Sequence, residues 1–556
     1  MNKKVCSFPI LFALLALLIG TCAVVFPASA QAAPTSTGSI TVGGTVASSY
    51  DAYQIFSANV VDGDSDAKIA TDLAWASDAV RDATLPVLHS AGMPNSQTTA
   101  QEAAEWLNTD SHLTSALSAQ LARSLQSSGA VPVALNAGTA AELPCGYWLI
   151  VADDDAIAQG EAGTAPIMAL VGGSAVTVKP KAATPKVQKH VLEDSTAAWQ
   201  KAADATVADD LYWRLSATVP AGLAVYDTYT VRFVDTMSAG LDPSKVAASM
   251  RVYAAAGADG GFDAVSAGRD GHVGTDPAKG WTDITAQCAT KVAADGKTFT
   301  VRTGDLIAAL GGADAFTAGA RVVAVYNAPL NSGCNHGIAK GNPNEVYLRY
   351  PRSPFADQSG DAGFTRTPSD DACAYTWDLA LTKRGSDGDK PLAGAVLSIA
   401  DDRGRTLAAD GTWDAEGKAT VTTGEDGRVT VSGVDSGKLE VRELKAPKGY
   451  TAFEGTRSVT VKAEGLDVDQ VAAAKPKLTI TAESPLRADS ADGSTGSLEA
   501  SLINTPTGTP PSITTGGFMP STGDMAMYAA AAAAVAGAAL IVVALLVKRG
   551  GGSHKE

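Results

Sequence analysis

Three short segments near the C-terminal end of the chain each place one polar group among apolar ones. Side chains along a strand alternate between two faces. In Leu379–Lys383, Lys383 therefore shares a face with Leu379 and Leu381. By the same alternation Glu443 lies with Leu439 and Val441, and Asn504 lies with Leu498, Ala500 and Leu502. A charge taken out of water alone is costly, so such groups must pair or neutralise. Desolvation lowers the pKa of an amine and raises that of a carboxyl. A neutral lysine amine is a nucleophile, and a protonated glutamate can hydrogen-bond and polarise an asparagine carbonyl. Attack on that carbon expels ammonia and leaves a Lys–Asn amide bond. A fold that brings these three segments together is required. The intervening short strands, broken by Asp/Gly turns across residues 373–505, predict a β-sandwich.

A similar pattern lies upstream. Lys189 shares a face with Val187 and Val191, and Asp235 with Val231 and Phe233, in a unit predicted over residues 181–356. Its strands are expected at Tyr212–Val219, Tyr229–Val234, Thr298–Arg302 and Glu345–Tyr350, with Asp357–Asp371 as a polar connector. The first unit, residues 36–180, opens with strands at Ile40–Val42 and Tyr50–Phe56 and closes with strands at Gly146–Val151 and Ala175–Val178. Between them Leu113, Leu117, Leu121 and Leu125 predict a helix, with Asp110 or Ser111 as N-cap and Gly129 as its stop. The one lysine between Ser36 and Val178 is Lys68, in a polar stretch read as helical, so no crosslink is expected there. The fold class is all-β: tandem immunoglobulin-like sandwiches, the first with a helical insert.

Both ends carry targeting patterns. Lys3-Lys4, the apolar run Ile10–Ile19 and Ala28-Ser29-Ala30 predict a signal peptide over residues 1–30. The small-x-small site fits better than lipidation at Cys22, which Thr21 precedes. At the other end Met519-Pro520-Ser521-Thr522-Gly523 follows a Pro/Thr/Gly stalk, 506–518, and precedes the uncharged stretch Met525–Val547 and then Lys548-Arg549. That stretch is long enough to span a bilayer as a helix, and the basic pair holds its end in the cytoplasm.

Length, 556 residues, suggests three or four domains. The net charge of −16 argues against a nucleic-acid partner, which needs a basic face. Beyond the signal peptide lie Cys145, Cys288, Cys334 and Cys373, without metal-ligand spacing, so no metal site is expected. In an exported protein they are disulfide candidates. Cys334 with Cys373 is favoured, and Cys288 with Cys334 is the rival. The chain has no HExxH, GxSxG or Walker motif, and its histidines show no recurrent spacing. No enzyme and no cofactor is expected.

The tail, residues 519–556, resembles the cell-wall sorting signal of Gram-positive surface proteins, with Met519 where that family has Leu. The resemblance implies that a sortase cleaves between Thr522 and Gly523 and joins the Thr522 carboxyl to an amine. Leu381-Thr382-Lys383, Pro391–Ala395, Glu443–Tyr450 and Ile503–Pro506 resemble the collagen-adhesin B-type domain of Gram-positive pilins. That implies a Lys383–Asn504 isopeptide bond assisted by Glu443. Residues 181–356 resemble the middle domain of sortase-assembled major pilins, in which Lys189 and Asp235 match the lysine and the acid. The family's acceptor, the Asn of Tyr-Ser-Asn, is replaced in Tyr350-Pro351-Arg352. Arg352 is therefore expected to pair with Asp235, the acceptor asparagine is unassigned, and a disulfide is the alternative staple.

The family also carries a polymerising lysine in a Val-Tyr-Pro-Lys pattern. Val178-Lys179-Pro180-Lys181 occupies that place, which implies Lys181 as acceptor, with Lys179 or Lys186 as substitutes. A residue before proline is held extended, which would present the amine. The resemblance implies a backbone subunit of a covalent pilus, secreted and anchored to the wall. Its implied partners are sortase, identical subunits, minor pilins, peptidoglycan and a host surface ligand. The alternative is a monomeric wall-anchored adhesin or a minor tip or base pilin.

Overall fold

The computed structural model describes residues 36–508, apart from short segments at 65–66, 110, 181–183, 222–224, 259–260, 263–264, 268–272, 276–279 and 313–317. Residues 1–30, Lys181, and the segment from Met519 through Gly523 to the apolar stretch lie outside the described residues. Among those described, no helix is long and apolar enough to cross a membrane.

The first region joins two sheets. Thr37–Val42 lies between Ala140–Pro144, antiparallel, and Val176–Val178, parallel. The long strand Ser49–Asp62 pairs with Lys68–Trp75, Val133–Asn136 and Gly146–Ala152. Helices Asp78–Ser90, Ala100–Asn108 and Ser115–Ser127 cover one side. In the last of these Leu117, Leu121 and Leu125 are buried as the four-residue spacing predicts, in the cluster that also takes Ile55 and Leu149. Its N-cap is Thr114, whose side chain accepts from the Leu117 amide, rather than Asp110 or Ser111. Leu113 precedes the helix. Gly129, at φ +80°, does follow its end. Lys68 opens a strand, not a helix. Its ammonium donates to the Gly172 and Ser174 carbonyls at 2.5 and 2.7 Å, and tertiary bonding overrides the polar pattern.

In the middle region two sheets face each other. One runs, in spatial order, through Ala198–Gln200, Lys186–Glu193, Tyr212–Val219, Ala320–Asn327, Arg251–Ala256 and Trp281–Asp283. The other runs through Ala202–Asp204, Asp370–Tyr375, Asn342–Pro351, Arg232–Met237, Thr298–Arg302 and Ala289–Val292. The strand expected at Tyr229–Val234 begins at Arg232 instead. The amides just before it bond to side chains, Tyr229 to Asp305 and Val231 to Thr303. Within the expected connector, Phe364–Arg366 adds to strand Asn342–Pro351.

The last region is also two sheets. Trp377–Gly385 is central to one, antiparallel to Arg428–Val434 and parallel to Ser497–Pro506, with Gly385 opposite Asn504. Gly437–Lys445 is central to the other, between Val396–Ala400 and Thr456–Glu464. The apolar faces of both meet in one core that holds Leu379, Leu381, Val441, Leu498 and Leu502. At the junction with the middle region, Asp204 accepts from the Trp377 indole at 2.6 Å and from the Ser436 amide at 2.9 Å. Arg405 meets Asp209 through two parallel bonds of 2.5 and 2.7 Å.

Candidate crosslinking sites

Alternation along Trp377–Gly385 turns Lys383 inward beneath Leu379 and Leu381, and it is 0% exposed. Asn504 enters from the parallel neighbour strand at 2% exposure, and Glu443 crosses from the facing sheet at 6%. The three groups converge. The Lys383 ammonium bonds the Asn504 Oδ1 oxygen. Its Nζ lies 3.2 Å from Glu443 Oε1. The Asn504 Nδ2 donates to Glu443 Oε1 and Oε2 at 2.9 and 3.1 Å. The Phe453 amide donates to Oε2 at 3.1 Å and fixes the carboxylate. Desolvation lowers the Lys383 pKa to about 8, against the opposing pull of Glu443. One sequence-based detail changes. Glu443 faces the amide nitrogen of Asn504, not its carbonyl, because Oδ1 is turned toward the lysine. Glu443 thus touches both the nucleophile and the leaving group.

A second buried set lies between the middle sheets. Lys189 and Asp235 are both 0% exposed and form an ion pair. The Lys189 amine also donates to the Tyr326 hydroxyl at 2.9 Å, and that hydroxyl donates to Asp235 Oδ2 at 3.0 Å. Asn344, again 0% exposed, donates its Nδ2 to the same Tyr326 oxygen at 2.8 Å. Asp235 Oδ1 and Asn344 Oδ1 have no hydrogen-bond partner among the described residues. Burial lowers the Lys189 pKa to about 8 and raises that of Asp235, while the attraction between the two opposes both shifts. Alongside, Lys201 pairs with Asp370, and Asp370 Oδ2 accepts from the Lys189 amide at 2.6 Å.

Arg352 does not meet Asp235. Its guanidinium pairs with Asp155 at 3.1 Å, since it lies past the end of a strand whose opposite end carries Asn344. Sequence inspection missed Asn344 and Tyr326. The alternation of Asn344, Val346 and Leu348 on one strand face was the available signal for the first. The four cysteines are free thiols. Cys145 packs in the first region and Cys373 in the last region's core, while Cys288 and Cys334 lie against the middle core. Burial pushes the thiols of Cys288, Cys334 and Cys373 up to about 11. Neither predicted disulfide is formed: Cys145 and Cys373 are buried, and Cys288 and Cys334 lie partly buried against the middle core, all as free thiols.

The fold and these sites define a protein of consecutive β-sandwiches that hold lysine, acid and asparagine together in dry interiors. Residues 378–475 match the SpaA prealbumin-like fold domain. The chain is 30% identical over 143 residues to the trypsin-resistant surface T6 protein of Streptococcus pyogenes serotype M6, a match covering 24% of either chain. It therefore spans about a quarter of the length of that curated relative. Among solved structures, the T6 backbone pilin of serotype M6 Streptococcus pyogenes aligns over 85% of this chain and 98% of its own, at 16% identity and a TM-score of 0.45. The full-length major pilin SpaD of Corynebacterium diphtheriae aligns over 85% and 98%, at 15% identity and a TM-score of 0.41.

Proposed function

We propose that this chain is the structural backbone subunit of a sortase-polymerised covalent pilus, stabilised by a self-formed bond between Lys383 and Asn504. The convergence of Lys383, Glu443 and Asn504 in a water-excluded core carries this reading. Glu443 takes a proton from the Lys383 ammonium, and the free amine adds to the Asn504 Cγ. The Cγ–Nδ2 bond breaks as the Glu443 carboxyl protonates the departing nitrogen, and ammonia leaves. The second proton lost by the amine returns to Glu443. The step converts a buried charge pair into a neutral amide, and a buried pair is held at a desolvation cost.

Between subunits, Thr522 of one copy is joined to Lys181 of the next, with Lys179 or Lys186 as the neighbouring amines. Tensile load then passes from Lys181 through the sandwiches to Thr522. The internal bond ties the strands of Lys383 and Asn504, which are parallel neighbours. Sortase, minor pilins and the peptidoglycan are the partners of such a subunit, and the cell surface is its place.

The test is an immunoblot of cell-wall extracts from cells making the wild type or Lys181→Ala, boiled in SDS with reductant. A ladder of high-mass bands that collapses in the variant is expected. A single band in both would refute polymerisation and leave a monomeric wall-anchored adhesin.

A further inference from the structure

We propose that the cleft between the first and middle regions, where Arg349, Arg352 and Arg366 meet, is a binding site for the carboxylate of an acidic sugar at the end of a glycan. Arg232 stands directly opposite Arg302 on one side and Arg349 on the other, and Arg349 stands opposite Arg366. Four arginines thus share one row across adjacent strands. Their side chains lie on the outer face, because the alternate residues Phe233, Val301 and Leu348 fill the core. Like charges directly opposite one another destabilise a sheet. Burial and then the Arg302 charge accordingly lower the Arg232 pKa, while Asp361 opposes them. A chain of net charge −16 has gathered this row on one face.

The two ends of the row differ. At one end the connector lies over it. The Gln358 carbonyl accepts from Arg302 and Arg232 at 3.2 and 3.4 Å, and the Gly360 carbonyl accepts from Arg232 at 3.2 Å. Asp361 is shared between Arg232 and Arg349, 3.0 Å from the second. At the other end Arg366 pairs with no carboxylate among the described residues. Its guanidinium lies over the Tyr347 ring, 5.0 Å from the centroid, which fixes its place. Arg352 enters from past the strand end and pairs with Asp155, whose side chain is 96% exposed, so water competes for that bond. Asp154 also acts on Arg352, but burial pushes the Asp154 pKa up, toward the neutral form.

The three guanidinium groups line a cleft of about 430 Å³. Small-molecule sites span about 300–1,000 Å³. The rest of its wall mixes Ile157 and Phe364 with Gln159 and Thr365. A guanidinium fork matches a carboxylate through two parallel bonds. The apolar pair suits the C–H face of a pyranose, and the amide and hydroxyl suit its ring hydroxyls. A carboxylate carried on a sugar therefore uses the whole lining, whereas a bare phosphate uses only the arginines. The net charge of −16 disfavours nucleic acid as the occupant.

The test is saturation-transfer NMR on the mature chain. N-acetylneuraminic acid and glucuronic acid are the probes, with galactose as the neutral control and inorganic phosphate as competitor. A signal from at least one acid, undiminished by phosphate at equal concentration, is expected. Which acid responds separates a sialylated from a uronate-bearing glycan. Arg366→Gln removes a cation that the connector does not use, and should weaken binding about tenfold or more, the scale of one charge-assisted hydrogen bond. Arg352→Gln should do the same. Lys462→Gln, at an exposed cation of the last region, should leave binding unchanged. Arg366 is exposed, so its variant should melt with the wild type in a calorimetric scan. No signal from either acid, an equal signal from galactose, displacement by equal phosphate, or wild-type affinity in either arginine variant would overturn the assignment. No outcome depends on the Lys383 crosslink.

Discussion

Replacing Asn504 by alanine isolates the worth of the proposed Lys383 crosslink. The substitution removes the acceptor amide but leaves Lys383 and Glu443 facing each other at 3.2 Å, so no buried charge is orphaned. The bonded residues are 121 apart in sequence. Tying a loop of that length removes chain entropy from the unfolded state worth about 5 kcal/mol at room temperature. That loss, at roughly 3–4 °C per kcal/mol for a domain of this size, lowers the melting temperature of the last region by about 15–20 °C. Differential scanning calorimetry reads the shift, and intact mass, each chain compared with its own sequence, confirms that the wild type has lost one more ammonia than the variant. A variant that melts within a few degrees of the wild type, while the wild type carries the crosslink, would refute the loop-closure reasoning. Equal ammonia loss in both chains would refute the Lys383–Asn504 assignment itself.

Other perturbations probe the scaffold. Asp204→Ala strips the Trp377 indole and the Ser436 amide of their acceptor at the junction, and should cost about 3 kcal/mol and expose the junction to limited proteolysis. Leu121→Ala, at a fully buried helix position, should cost about 3 kcal/mol in urea unfolding. Stability should also depend on pH through Glu193, which burial and then the neighbouring Asp204 charge push from 4.5 up to about 7. Its folded pKa exceeds the unfolded one, so its contribution is fully present below about 4.5 and is lost as pH rises to about 7. The urea midpoint should be lower at pH 8 than at pH 5, and Glu193→Gln should flatten that difference. A midpoint that rises instead would contradict the sign.

The alternation of side chains along a strand is a local property, and it was enough to place Lys383, Glu443 and Asn504 on buried faces before any partner was known. The same holds for Lys189 and Asp235, and for the leucines of helix Ser115–Ser127. Local pattern erred where a tertiary bond competes with it. Thr114 won the cap because its side chain reaches the Leu117 amide, and Lys68 became a strand residue because carbonyls of a distant turn receive its ammonium. Which strands become neighbours, and in what register, depends on the packing of whole sheets. That step set Arg352 against Asp155 and brought Asn344 and Tyr326 to Lys189. It also turned Glu443 toward an amide nitrogen and left the four cysteines as free thiols. The sequence by itself determined that Lys189, Asp235, Lys383, Glu443 and Asn504 had to be buried, because the period of a strand is fixed by its backbone. Only the tertiary structure decided which of them meet, because a contact between residues more than a hundred positions apart is fixed by the register of strands that no local pattern encodes.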